Sequence, residues 1–274
     1  MIHEMIELWG QGEYRGAMGD GFVPAIETYV LEGGKRRGAI LICPGGGYGF
    51  LSPREAEPVA LQFNAAGYHA FILRYSVAPR RHPLPLLDVS RAMCVLRERA
   101  DVFRIHPGRI ALCGFSAGAH LAASLGVFWE KPLALDAPGI EPGMNRPDAL
   151  ILSYPVISSG VFAHRGSFEN LLGPNAGPES LALVSLEGRV SEKTPPTFLW
   201  HTYADQSVPL ENSLLFAGAL RGKGVPFELH VYPEGVHGLS LATEETSDDQ
   251  HDSDPHVSSW MYLCTEWLGE RFGE

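Results

Sequence analysis

Long apolar runs are missing from these 274 residues. No stretch approaches the roughly 20 residues needed to span a bilayer, although 45% of the chain is hydrophobic. The opening, "MIHEMIELWGQGEYRG", has neither the basic start nor the apolar core of a secretion signal, so a cytoplasmic location is expected. Cysteine is scarce: Cys43, Cys94, Cys113 and Cys264, with no C-x-x-C pair. That spacing predicts four reduced, mostly buried thiols in place of a disulfide framework or zinc site. Positive charge is short too. The 21 Lys and Arg face 32 Asp and Glu, a formal net charge of −11, which argues against a nucleic-acid surface and a polybasic membrane contact. With no internal repeat, low-complexity block or linker, a single domain over residues 1–274 is expected.

What is present is an alternation of short apolar runs and helical patterns. "GAILICP" (38–44) is continuously apolar, as in a strand buried on both faces. "HAFILRY" (69–75), "RIALCGF" (109–115), "DALILSYP" (148–155), "TFLWHTY" (197–203) and "FELHVYP" (227–233) read as further strands, and "AIETYVL" (25–31) as an edge strand. Helical spacing marks 55–67, 84–103, 116–128, 211–224 and 256–272. Strands alternating with helices of this length predict an α/β fold, a mostly parallel sheet with helices on both faces.

The third of these strands ends in Gly114, Phe115, Ser116, Ala117, Gly118, a G-x-S-x-G. At a strand-to-helix junction this pattern puts the serine on a tight, strained turn above the carboxyl edge of the sheet. The glycines are needed because side chains there would strike the strand and the helix. A plain helix N-cap would explain Ser116 but not Gly114. A serine needs a base to take its proton, and the partners follow in the order serine, acid, histidine. His237, in the glycine-flanked "YPEGVHGLS" after the last strand, is the expected base. His201 and His230 lie within strands and read as structural, and His120 lies one helical turn past Ser116. Asp205, just past the strand at 197–203, is the expected acid; Glu211 is the runner-up, but it opens a helix, where a carboxylate is favoured anyway. "CPGGGYG" (43–49) can turn successive N–H groups on one point. Gly46 and Gly47, with Ala117, are the expected oxyanion donors. A phosphate-binding reading fails because G-x-x-x-x-G-K-[ST] is absent, and a dinucleotide fingerprint fails at Phe50.

With these segments, and with "LRYSVAPRRHPLPLLDVSRAM" and "RPDALILSYPVIS", most of residues 38–242 resembles the α/β-hydrolase-fold esterases, the group that includes acetylesterases and acetyl xylan esterases. The resemblance implies an α/β-hydrolase fold, a Ser116–His237–Asp205 triad and oxyanion glycines within 45–47. The chain departs from related enzymes at Pro44, where histidine is common, at Ala119 and at Val236. Those changes weaken transfer of substrate preference and remove no catalytic group.

The expected activity is hydrolysis of short-chain, acetyl, esters of carbohydrates such as acetylated xylo-oligosaccharides. A serine peptidase or amidase on the same fold is the alternative, and a non-catalytic binding protein is a third reading. Residues 156–190, interrupted by glycine or proline at 160, 166, 173, 174, 177 and 178, leave no room for a large apolar cap. Tyr48, His82 and His164 are candidates for contact with sugar hydroxyls. His251, Asp252, Asp254 and His256 cluster in the acidic stretch 243–259, which reads as a solvated loop more readily than as a metal site. No metal and no cofactor is expected. The expected partner is a small ester, an acetylated sugar, with no nucleic acid and no membrane; the sequence leaves homo-oligomer formation open.

Overall fold

Strands that are apolar at every position need helices on both sides, and the computed structural model supplies them. It describes residues 1–273. The strands are β1 (Met5–Glu7), β2 (Ala25–Tyr29), β3 (Arg37–Cys43), β4 (His69–Arg74), β5 (Ile105–Phe115), β6 (Ala149–Ser153), β7 (Thr197–Thr202) and β8 (Phe227–Tyr232). They form one sheet in the order β1-β2-β4-β3-β5-β6-β7-β8. β2 is antiparallel to both neighbours, and every pairing from β4 to β8 is parallel. The helices are α1 (Glu57–Ala65), α2 (Leu84–Glu98), α3 (Ala100–Phe103), α4 (Ala117–Phe128), α5 (Pro132–Leu135), α6 (Arg165–Leu172), α7 (Pro178–Leu183), α8 (Glu211–Gly222) and α9 (Pro255–Phe272).

Successive strand residues point to opposite faces, so each central strand serves two cores. Ala39, Leu41, Ile110 and Leu112 join a cluster with α2, α4 and α8. Ile40, Ile42, Ala111, Cys113, Phe198 and Trp200 join another with α1 and α9. Each fully buried Leu, Ile or Phe side chain stabilises by roughly 1.5–3 kcal/mol, which explains why no polar residue interrupts "AILIC". All four cysteines are free and buried. Among the described residues, no helix is long and apolar enough to cross a membrane.

Two readings of the sequence change. The stretch at 25–31 is not the sheet edge: β1, too short to show a pattern, lies outside it. The helix expected over 84–103 is broken at Arg99, whose φ −98° and ψ 14° are not helical, and Arg104 then turns the chain into β5 with φ 55°. The turns after β3, β5, β7 and β8 all lie at the carboxyl edge of the parallel strands, where ligands bind in open α/β sheets.

Candidate active site

Ser116 follows β5 directly and has φ 52°, a left-handed conformation that L-residues avoid. Glycines make it feasible. A Cβ on Gly114 would lie 2.3 Å from the Gly118 carbonyl oxygen, and one on Gly118 only 2.1 Å from that of Cys43. The Ser116 N–H donates to the Ser153 carbonyl at 3.0 Å and so pins the turn to β6. The side chain makes no capping bond to α4. Its Oγ lies 2.8 Å from Nε2 of His237 instead.

His237 sits in the loop after β8, and its Nδ1 is 2.7 Å from Oδ2 of Asp205. An ionised carboxylate only accepts, so Nδ1 carries the proton, Nε2 is the acceptor and the Ser116 hydroxyl donates to it. Asp205, in the turn after β7, is wholly enclosed. Its Oδ1 accepts the N–H groups of Ser207 and Val208, each at 2.9 Å. Burial alone would push the Asp205 carboxyl pKa upward. Hydrogen bonds from His201 and His237, the His237 charge and the Val208 N–H outweigh it and hold the group well below the usual carboxylate range. His201 therefore does more than fill a strand position: its Nε2 lies 3.3 Å from Asp205 Oδ2 and donates to the Val208 carbonyl at 3.0 Å. Glu211 opens α8 and takes no part in this chain of bonds.

Gly46 and Gly47 have φ 122° and 61°, which glycine alone adopts freely. Their carbonyls are occupied by the Gly49 N–H at 2.9 Å and by Asn170 Nδ2 at 2.9 Å. Ala117 is the first residue of α4, so its N–H has no partner within the helix. Gly46, Gly47, Ser116 and His237 line one cleft of about 430 Å³.

Of the three expected sugar contacts, only His164 lines this cleft. Tyr48 does not: φ 58° turns its ring inward, where it is 2% exposed and donates to His120 Nδ1 at 2.8 Å. His120 Nε2 in turn donates to the Val184 carbonyl at 2.9 Å. His82 is also turned inward, with its Nε2 buried and unpartnered. Phe50, two residues past Tyr48 and 62% exposed, lines the cleft in their place.

The acidic stretch is not purely solvated. Asp248 and His251 reach the cleft, joined by a 2.6 Å hydrogen bond, with Arg54 3.2 Å from Asp248. Asp254 caps α9 by accepting the N–H groups of His256 and Val257. Among the described residues, no three His, Cys, Asp or Glu converge on a metal position.

A profile of the alpha/beta hydrolase fold matches residues 40–241. A crystal structure of an acetyl ester-xyloside bifunctional hydrolase from Caldicellulosiruptor lactoaceticus superposes with a TM-score of 0.90 at 43% identity, covering 98% of this chain and 96% of that one. Endo-1,4-beta-xylanase B of Butyrivibrio fibrisolvens is 39% identical over 87% of this chain, and the acetylxylan esterase of Xylanibacter ruminicola 30% identical over 81%. The chain spans only 38% and 45% of the lengths of those two relatives. The profile match over the whole run from β3 to the loop that carries His237, and the near-complete overlap with a solved relative, place this chain in the alpha/beta hydrolase fold family.

Proposed function

We propose that the chain is a serine carboxylesterase that removes short acyl groups, acetyl above all, from carbohydrate esters such as acetylated xylo-oligosaccharides. The observation that carries this reading is the unbroken chain Ser116 Oγ–His237 Nε2 at 2.8 Å and His237 Nδ1–Asp205 Oδ2 at 2.7 Å, beside two left-handed glycines in one cleft. As Ser116 Oγ bonds to the ester carbon, its proton passes to His237 Nε2, and Asp205 stabilises the imidazolium. The N–H groups of Gly46, Gly47 and Ala117 receive the oxyanion. His237 then protonates the departing alcohol oxygen as the C–O bond breaks. Water, deprotonated by the same nitrogen, releases the acid and restores Ser116.

Support for a small acyl group comes from residues 156–190. They supply two short helices, α6 and α7, with no long apolar helix to shelter a fatty chain. Support for a sugar comes from the cleft lining, where an exposed Phe50 shares the wall with the polar residues His164, Ser207 and His251, and from the names of the xylan-related relatives.

The test is kcat/KM for p-nitrophenyl acetate, butyrate, octanoate and palmitate, with acetate release from acetylated xylo-oligosaccharides. A pocket that buried each added methylene would gain about 0.8 kcal/mol, roughly fourfold, per carbon. Acetate is expected to be fastest, with a decline from butyrate onward, and a folded Ser116→Ala variant to lose nearly all turnover. Octanoate or palmitate outpacing acetate would overturn the acetyl assignment; an active Ser116→Ala would overturn the mechanism.

A further inference from the structure

In the wall of the cleft lies an almost fully buried carboxylate that the triad does not use. Glu55 closes the short 3-10 turn Pro53–Glu55 that follows the oxyanion loop, and it is 3% exposed. Its Oε2 accepts the Gly45 N–H at 2.7 Å, and its Oε1 accepts the Tyr154 hydroxyl at 2.7 Å. Tyr154, the residue after β6, has φ 36°. Its ring meets the His237 ring edge-on, centroids 5.1 Å apart, and its hydroxyl oxygen accepts the Ser240 N–H at 2.9 Å. Ser240 lies three residues past His237 and donates its own hydroxyl to the Arg54 carbonyl at 2.6 Å. The Arg54 guanidinium donates to the Gly238 carbonyl at 2.9 Å. Two adjacent residues of one turn thus hold the oxyanion loop on one side and the base loop on the other.

We propose that Glu55 is a positioning residue that, through the Gly45 N–H and the Tyr154 hydroxyl, holds the oxyanion glycines and His237 in register with Ser116. Gly45 precedes Gly46 and Gly47 directly, and its N–H is committed to Glu55, so the orientation of the next two peptides is set from behind. A Cβ on Gly45 would lie 3.1 Å from the Ser116 Cβ, so loop and nucleophile have no slack between them. The other arm fixes the imidazole: Tyr154 packs on the ring while its hydroxyl is anchored at both ends. Burial pushes the Glu55 carboxyl pKa upward; the Tyr154 and Gly45 hydrogen bonds and the charges of His237 and Arg54 oppose that push. Left-handed residues such as Tyr154 and Ser240 (φ 55°) persist only where surrounding contacts over-determine them, and these bonds do so.

The inference rests on the esterase reading of the same site. The test compares Glu55→Gln, Tyr154→Phe and the double variant with wild type and Ser116→Ala. It measures kcat per fluorophosphonate-titratable serine, KM and melting temperature. Glutamine keeps the shape but cannot accept from both donors, and phenylalanine keeps the ring on His237 and loses only the hydroxyl. Misplacement by about 1 Å can cost about 10²-fold. Each single variant should lose about 10-fold to 100-fold in kcat with KM changed less than about threefold, and the double variant should lose no more than the worse single one. A purely structural role would lower the melting temperature and leave kcat per active serine intact. Either folded single variant with kcat within about twofold of wild type overturns the proposal; if Glu55→Gln is insoluble, Tyr154→Phe decides. An active Ser116→Ala would overturn the esterase reading and this role with it. An inactive Ser116→Ala beside a fully active Tyr154→Phe overturns only the role of Glu55.

Discussion

Asp205→Asn separates the charge of the acid from its geometry, because the surroundings dictate which way the new amide points. Asp205 Oδ1 accepts two backbone N–H groups, those of Ser207 and Val208. An asparagine must keep its carbonyl oxygen there, since the reverse orientation sets an NH₂ against two donors. Its NH₂ then faces His237 Nδ1, where Oδ2 stood at 2.7 Å. Donating to Nδ1 forces the imidazole proton onto Nε2, the atom 2.8 Å from Ser116 Oγ. A protonated Nε2 cannot take the serine proton. His201 loses its longer bond to the Oδ2 position, 3.3 Å away, but keeps the one to the Val208 carbonyl at 3.0 Å, so the local fold survives. A wrong tautomer held in intact geometry costs about 10⁴ in kcat in a serine–histidine–aspartate site, which is about 5.5 kcal/mol of barrier. The assay is steady-state hydrolysis of p-nitrophenyl acetate by the folded variant, with Glu211→Gln as a control expected within about twofold of wild type. KM should change little, because Asp205 is enclosed and does not line the cleft. An Asp205→Asn variant retaining more than about one tenth of kcat would refute the tautomer argument.

Two further outcomes follow from the packing. Gly118→Ala drives a Cβ into the backbone oxygens of Cys43 and Pro44, at 2.1 and 2.4 Å, whereas Gly126→Ala meets only the side-chain end of Leu150 at 2.6 Å. Thermal melting should show the first losing more than about 3 kcal/mol or failing to fold, and the second losing about 2 kcal/mol or less, because overpacking of about 1–3 kcal/mol is offset by the roughly 0.5–1 kcal/mol that alanine gains over glycine within a helix. His69 and His120 are both pushed down to about 4 by burial, His69 also by the Arg37 charge, while an unfolded histidine titrates near 6.5. Between those values the unfolded chain binds more protons, so stability is full above about pH 6.5 and falls as pH drops toward 4, by up to about 3 kcal/mol for each histidine. Urea unfolding at several pH values should show this fall, and a folded His120→Asn should show a shallower one; an unchanged slope would mean that His120 carries none of it.

Much of this molecule is written in local pattern. The all-apolar run at 38–44 determines a strand covered on both faces, because a period of two then has no polar side to show to water. Glycines at 114 and 118 around Ser116 determine the elbow, because a Cβ at either place strikes backbone. The order serine, aspartate, histidine, in the turns after β5, β7 and β8, singles out Asp205 and His237 as candidate partners of Ser116 before any contact is known. Other features were settled only by tertiary structure. β1 has three residues, too few for any period to register, and it exists because β2 offers an edge to pair with. Tyr48 was expected at the rim and Phe50 was not, because a single left-handed φ at Tyr48 reverses which ring points inward. Glu55 opens the helical pattern at 55–67, where nothing local marks it as buried, yet it is, because its two donors come from residues 10 and 99 positions away. His251 reaches the cleft through Asp248 and the Arg54 side chain, 194 residues from Asp248 along the chain. Periodicity reports which face of a segment meets the core; it carries no information about which distant donor waits there, and that pairing is what makes a buried charge tolerable.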